Sequence, residues 1–168
     1  MRKNPARLSA LLGGACLLAG CASGPQTQAL APAGFDRVTV GGELRQRIER
    51  NFDRLETDYY QPDQVYWTEE QSGGWPGDKE GRTILALVLD AQASGRTPLY
   101  LDELIRRLPR ELNAKGYLGS ILEGSADEQQ LSGHGWLLRG LCEYYAWKKD
   151  PQVLEIARGI VDSLFLPI

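Results

Sequence analysis

The sequence predicts an all-α fold of stacked helical hairpins, and three observations carry that prediction. Apolar residues recur at three- and four-residue spacings through most of residues 42–168. No segment sustains the period-two alternation of a half-buried strand. Short turns, at residues 95–98 and at Asp150-Pro151, alternate with long connections at 61–79 and 113–130. A plain bundle favours short connections throughout, whereas stacked hairpins put tight turns on one rim and longer, site-building loops on the other.

About five helices follow from the spacing. Leu44, Ile48, Phe52, Leu55 and Tyr59 share one face, with Arg45, Glu49, Arg50, Asp53 and Arg54 on the opposite one. This is an amphipathic surface helix, ended by Pro62. Residues 84–93 are apolar on nearly every side, broken only by Asp90 and Gln92, which predicts a buried helix stopped at Ser94-Gly95. Leu101, Leu104, Ile105, Leu108 and Leu112 mark the third helix, where Pro109 is expected to kink or split the ladder. Ser132 is expected to cap the fourth, which runs to about Lys149 and carries Cys142 as a small buried hydrophobe. Asp150-Pro151 opens the fifth with a cap and a proline at the first helical position; Val153, Ala157, Ile160, Val161 and Leu164 form its stripe.

The N-terminus reads as a targeting segment. Arg2, Lys3 and Arg7 precede a mostly apolar run over 8–18, shorter than the roughly 20 residues a spanning helix needs. The run ends in Leu18-Ala19-Gly20-Cys21, which resembles the bacterial lipobox. That resemblance implies cleavage before Cys21, its lipidation and, with Ala22 rather than Asp next, an outer-membrane location facing the periplasm. The expected organisation is a signal peptide at 1–20, a lipidated cysteine and flexible Ala/Gly/Pro/Ser-rich tether at 21–41, and a helical domain at 42–168.

Three of the 19 basic residues and none of the 22 acids lie in 1–20, so the mature chain carries a net charge of −6. Without a basic cluster it is a poor nucleic-acid binder. With Cys21 lipidated, Cys142 has no intramolecular disulfide partner. One histidine and one free thiol are too few for a structural zinc site, and no cofactor is identifiable.

Two blocks carry candidate chemistry. The first is Gly73-Gly74-Trp75-Pro76-Gly77-Asp78-Lys79-Glu80-Gly81-Arg82, and the second is Gly133-His134-Gly135-Trp136, which holds the single histidine. Each stands before a predicted helix and combines glycine for close backbone approach, tryptophan for a flat apolar face, and an ionisable group. A polar ligand such as a sugar suits that combination, and so do tight turns with a packed aromatic. A neutral His134 offers a hydrogen bond to a sugar hydroxyl, or caps and packs at a helix start. Trp75 and Trp136 stack on a sugar ring or fill the core. Arg82 touches ligand or clamps Asp78 or Glu80. Glycoside hydrolysis needs two carboxyl groups roughly 5–10 Å apart; Glu69, Glu70, Asp78 and Glu80 are the candidates, and Asp78, between two glycines, is the best placed.

In order and spacing over residues 70–165, these motifs resemble the β-L-arabinofuranosidase-like glycoside hydrolases, family 127 and its relatives. Residues 75–82 look like that family's Trp-x-Gly-Asp-x-x-Gly entrance, and Lys115-Gly116-Tyr117-Leu118-Gly119 like its Asp-Gly-Tyr-Leu-Gly turn. Gly133-His134, Tyr144-Tyr145 and Leu154-Glu155-Ile156-Ala157 look like its Gly-His-Leu … Tyr … Leu-x-x-Ala helix pair. The resemblance implies part of an α/α toroid with a sugar-binding centre, and gives His134 the place of a sugar-contacting histidine. Lys115 stands where the family usually has Asp, and Gly135-Trp136 alters the helix entrance. The family's catalytic glutamate, cysteine nucleophile and zinc-binding cysteines lie downstream of these motifs, and none is matched in this chain. Expected partners are carbohydrate and the membrane through the lipid, with self-association or a second chain covering helical faces that an incomplete ring leaves bare. The resemblance implies a lipid-anchored glycoside-hydrolase-like domain that binds or helps to hydrolyse arabinose-type carbohydrate, as a truncated family member without its own catalytic set; the rival reading is a non-catalytic envelope lipoprotein that acts as a helical interaction or structural module.

Overall fold

In the computed structural model, residues 33–66, 74–121 and 127–167 are described, and Cys21, Glu69 and Glu70 lie outside them. Six helices follow in order among these residues: α1 (Gly42–Leu55), α2 (Pro62–Val65), α3 (Asp78–Ser94), α4 (Leu101–Glu111), α5 (Glu128–Lys148) and α6 (Pro151–Ile160). No strand occurs among the described residues, and no helix there is long and apolar enough to cross a membrane. The all-α fold is as the periodicity predicts.

Helix α3 is the centre of the domain because it is apolar nearly all round; Ile84, Leu87 and Val88 are essentially inaccessible. Helix α1 lies antiparallel to it, with the Arg45 guanidinium donating to the Ser94 carbonyl at 3.0 Å and Asn51 Nδ2 donating to Asp90 at 3.0 Å. Gly95, in the left-handed region at φ 76°, closes α3 and lets the chain return as α4, which buries Leu101, Leu104, Ile105 and Leu108. Helix α5 buries Leu137 and Leu141. Asp150 then caps α6 by accepting from the Gln152 amide at 2.9 Å, with Pro151 at the first position as expected.

Several boundaries differ from the sequence reading, each for a physical reason. Helix α1 ends at Leu55, and Tyr59 belongs to a 3-10 turn over Asp58–Tyr60. The first long connection contains α2, pinned by Tyr66 Oη donating to the Leu104 carbonyl (2.6 Å) and by Lys79 Nζ donating to the Gln64 carbonyl (2.6 Å). Helix α3 begins at Asp78, so the polar stretch 78–82 is its first turn rather than a loop. Pro109 does not split α4; it forgoes one backbone bond, to the Ile105 carbonyl, and the helix ends two residues later at Glu111. Helix α5 starts at Glu128, capped by Asp127, whose carboxylate accepts from the Gln129 and Gln130 amides. Ser132 is therefore helical interior, and the apolar spacing alone missed the polar first turn. Cys142 is exposed, not buried. The expected tether contains a 3-10 turn at Phe35–Arg37.

Candidate functional site

The two glycine–tryptophan blocks meet, because α3 and α5 run parallel with the first turn of α3 against the second and third turns of α5. A Cβ on Gly133 would strike the Pro76 carbonyl, one on Gly81 would strike the backbone of Trp136 and Leu137, and one on Gly140 would lie 2.7 Å from the Gly81 carbonyl. Gly77 has φ +91°, and a Cβ there would lie 3.0 Å from the Gly133 carbonyl group. The glycines do permit close backbone approach, as their chemistry predicts. What approaches is the other helix rather than a ligand.

His134 is correspondingly not at a helix mouth. It sits in the second turn of α5 with no exposed surface. Its Nε2 accepts from the Leu118 amide at 3.0 Å, and its Nδ1 faces the Gln130 carbonyl at 2.8 Å. Those partners fix the neutral tautomer with the proton on Nδ1. The Tyr117 ring packs edge-on at 5.9 Å. Burial lowers the imidazole pKa, which keeps it neutral. Both nitrogens are committed inside the protein, so the expected sugar contact through His134 is replaced by a structural one: it fastens the 113–119 loop to α5.

Sequence reasoning missed two partners in that fastening. Gln130 Nε2 donates to the Leu118 and Ser120 carbonyls at 3.1 and 3.0 Å. Asn113 closes the loop from within, its Nδ2 donating to the Gly119 carbonyl at 2.8 Å and its Oδ1 accepting from the Lys115 amide at 2.9 Å. The available signal for Gln130 was its place four residues before His134, on the same helix face.

The exposed candidates form a small surface stack. Asp78 Oδ1 accepts from Arg82 Nε at 2.9 Å, the i,i+4 clamp foreseen for Arg82. The Arg82 guanidinium lies 4.1 Å from the Trp136 ring centroid, and that of Arg139 lies 5.6 Å away. Trp75 is 39% exposed at the same end. Asp78, Arg82 and Trp136 are thus brought to one rim, with Trp75 exposed three residues before Asp78 at the entrance to α3, while His134 and Glu80 are buried.

Glu80 is 4% exposed and accepts from the Gly77 amide at 3.0 Å, capping α3 from its third position. Burial pushes its carboxyl up to about 7, against the pull of that amide and of Lys79. A folded-state pKa above the unfolded value stabilises the fold fully below about pH 4.5, and the contribution is lost as pH rises through about 7. Glu80→Gln keeps an acceptor for Gly77 and removes the buried charge. It is expected to raise stability at pH 8 by about 2–3 kcal/mol and to change little at pH 4, as urea midpoints at the two pH values will read.

Away from the rim, a cleft of about 570 Å³ opens at the opposite end of α3, between the Phe35–Arg37 turn, the 95–98 turn and Trp147. Among the described residues no three His, Cys, Asp or Glu side chains gather as a metal site would require. Comparison with protein-family models, curated proteins and solved structures gives no match, so the functional reading rests on the residues themselves.

Proposed function

We propose that this chain is a lipid-anchored module of the bacterial cell envelope, built on a glycoside-hydrolase-like helical scaffold, that holds an arabinose-type carbohydrate without hydrolysing it. The observation that carries the reading is the parallel packing of α3 and α5, which gathers Asp78, Arg82 and Trp136 on one rim, with Trp75 exposed at the entrance to α3. Inner helices of consecutive hairpins in an α/α toroid run in the same sense, which supports the scaffold part of the reading. Binding rather than hydrolysis is supported by how the two described candidates, Asp78 and Glu80, are used; Glu69 and Glu70 lie outside the described residues. Asp78 is clamped by Arg82 and Glu80 is enclosed as a helix cap, so neither stands free as half of a catalytic pair.

Calorimetry of the mature, lipidated protein in detergent with arabinose-containing oligosaccharides tests this. Saturable binding is expected, and Trp75→Ala is expected to weaken it about tenfold, the size of one lost aromatic stacking contact. A protein with a folded helical spectrum that binds none of the oligosaccharides overturns the proposal.

A second reading is favoured by one observation: the Arg82 guanidinium already covers a face of Trp136. On that reading the rim is packing, and the module holds another protein chain. Sedimentation showing a dimer, together with absent carbohydrate binding, decides for it; a carbohydrate-binding monomer decides against it.

A further inference from the structure

At the end of α3 remote from the rim, the domain presents an apolar face to solvent. Phe35, Val38 and Leu44 are 47%, 53% and 62% exposed. Beneath them Val38, Val40, Ile48 and Ala93 line, with Phe35, a cleft of about 250 Å³ that contains no charged side chain. Leu44 and Ile48 are one turn apart on α1 and share a face. Arg45, bonded to the Ser94 carbonyl, fixes this part of α1 at the C-terminal end of α3.

We infer that this face docks on the lipid surface to which Cys21 is attached; the inference rests on the lipid-anchored part of the proposed function. Phe35 follows Cys21 by 14 residues, a connection that spans at most about 50 Å even when fully extended. The anchor therefore holds acyl chains and headgroups near the face at an effective concentration that no diffusing partner matches. The charge pattern does not oppose this: residues 35–50 carry Arg37, Arg45, Arg47 and Arg50 against Asp36, Glu43 and Glu49, a net +1 in a chain that is acidic as a whole, with Arg45 paired to Glu49 and Arg47 and Arg50 to Glu43. Docking in this pose has a consequence for the rim. Helix α3 has 17 residues, about 25 Å of rise, so Trp75 and Trp136 are held on the side away from the bilayer.

The test uses the full lipidated chain with Leu44→Cys and Cys142→Ser, labelled at position 44 with an environment-sensitive fluorophore. The protein is reconstituted into phosphatidylethanolamine–phosphatidylglycerol vesicles, with and without brominated acyl chains. Brominated lipid is expected to quench this label severalfold and to leave unquenched a label at Lys115→Cys, exposed on the 113–119 loop that His134 fastens at the rim end. Val38→Asp in the same background is expected to relieve the quenching. Flotation with the vesicles but no quenching at position 44 overturns the docking face and leaves the anchor standing. Failure to float overturns the anchor and the inference with it. A concentration-dependent blue shift without lipid shows a second copy on this face and also overturns the inference.

Discussion

Gly81→Val is expected to destabilise the protein by about 3 kcal/mol or more, a large part of the roughly 5–15 kcal/mol by which a domain of this kind is stable. The new Cβ would collide with the backbone of Trp136 and Leu137. Backbone cannot swing aside as a side chain can, so relief requires α3 and α5 to separate. Separation uncovers Ile84, Val88, Leu137 and Leu141, each less than 1% exposed. In an isolated helix the same replacement would be mildly favourable, because glycine is the poorest helix former after proline. The sign of the effect therefore distinguishes packing from propensity. Gly135→Ala is the matched control: it lies exposed in α5 with nothing within 4 Å of its added Cβ. It is expected to gain about 0.5–1 kcal/mol. Denaturant unfolding of both variants checks the pair, and an unchanged midpoint for Gly81→Val would contradict the close parallel crossing.

The same crossing explains how much was legible beforehand. Helical periodicity sufficed for the fold class and for the buried character of α3, because a segment apolar on every side has few other places to go. Asp150-Pro151 was readable because cap and proline act within one turn. The starts of α3 and α5 were not, since their first turns are polar and the apolar spacing begins only later. Composition singled out the right blocks, as glycine and tryptophan at 73–82 and 133–136 do meet. It did not say what the glycines accommodate, because a helix and a ligand ask the same thing of a residue without a side chain. His134 misled for a related reason. A lone imidazole suits a polar ligand, and it suits two backbone groups of a buried loop equally well. Only the position of Leu118 and Gln130 tells these apart, and the Leu118 contact, across 16 residues, is not implied by sequence spacing.

His134→Ala is accordingly expected to cost stability first, by about 2–4 kcal/mol. It leaves the buried Leu118 amide without its acceptor and empties the space against Tyr117. Loosening is expected in 113–119, where hydrogen exchange at the Leu118 amide will report it, while the core amides of α3 keep their relative protection. The pH dependence gives an independent check. Burial holds the His134 pKa below its ordinary value of 6.5, so the unfolded chain takes up the proton more readily than the folded one. This group's contribution is present above about pH 6.5 and is lost as the solution is acidified, opposite in slope to that of Glu80. His134→Ala removes the acid-side loss, Glu80→Gln removes the neutral-side loss, and urea midpoints between pH 4 and 8 separate them. A histidine whose task was to touch sugar would behave differently. Its alanine variant would unfold at the parent's midpoint with the parent's pH profile, and only carbohydrate affinity would fall.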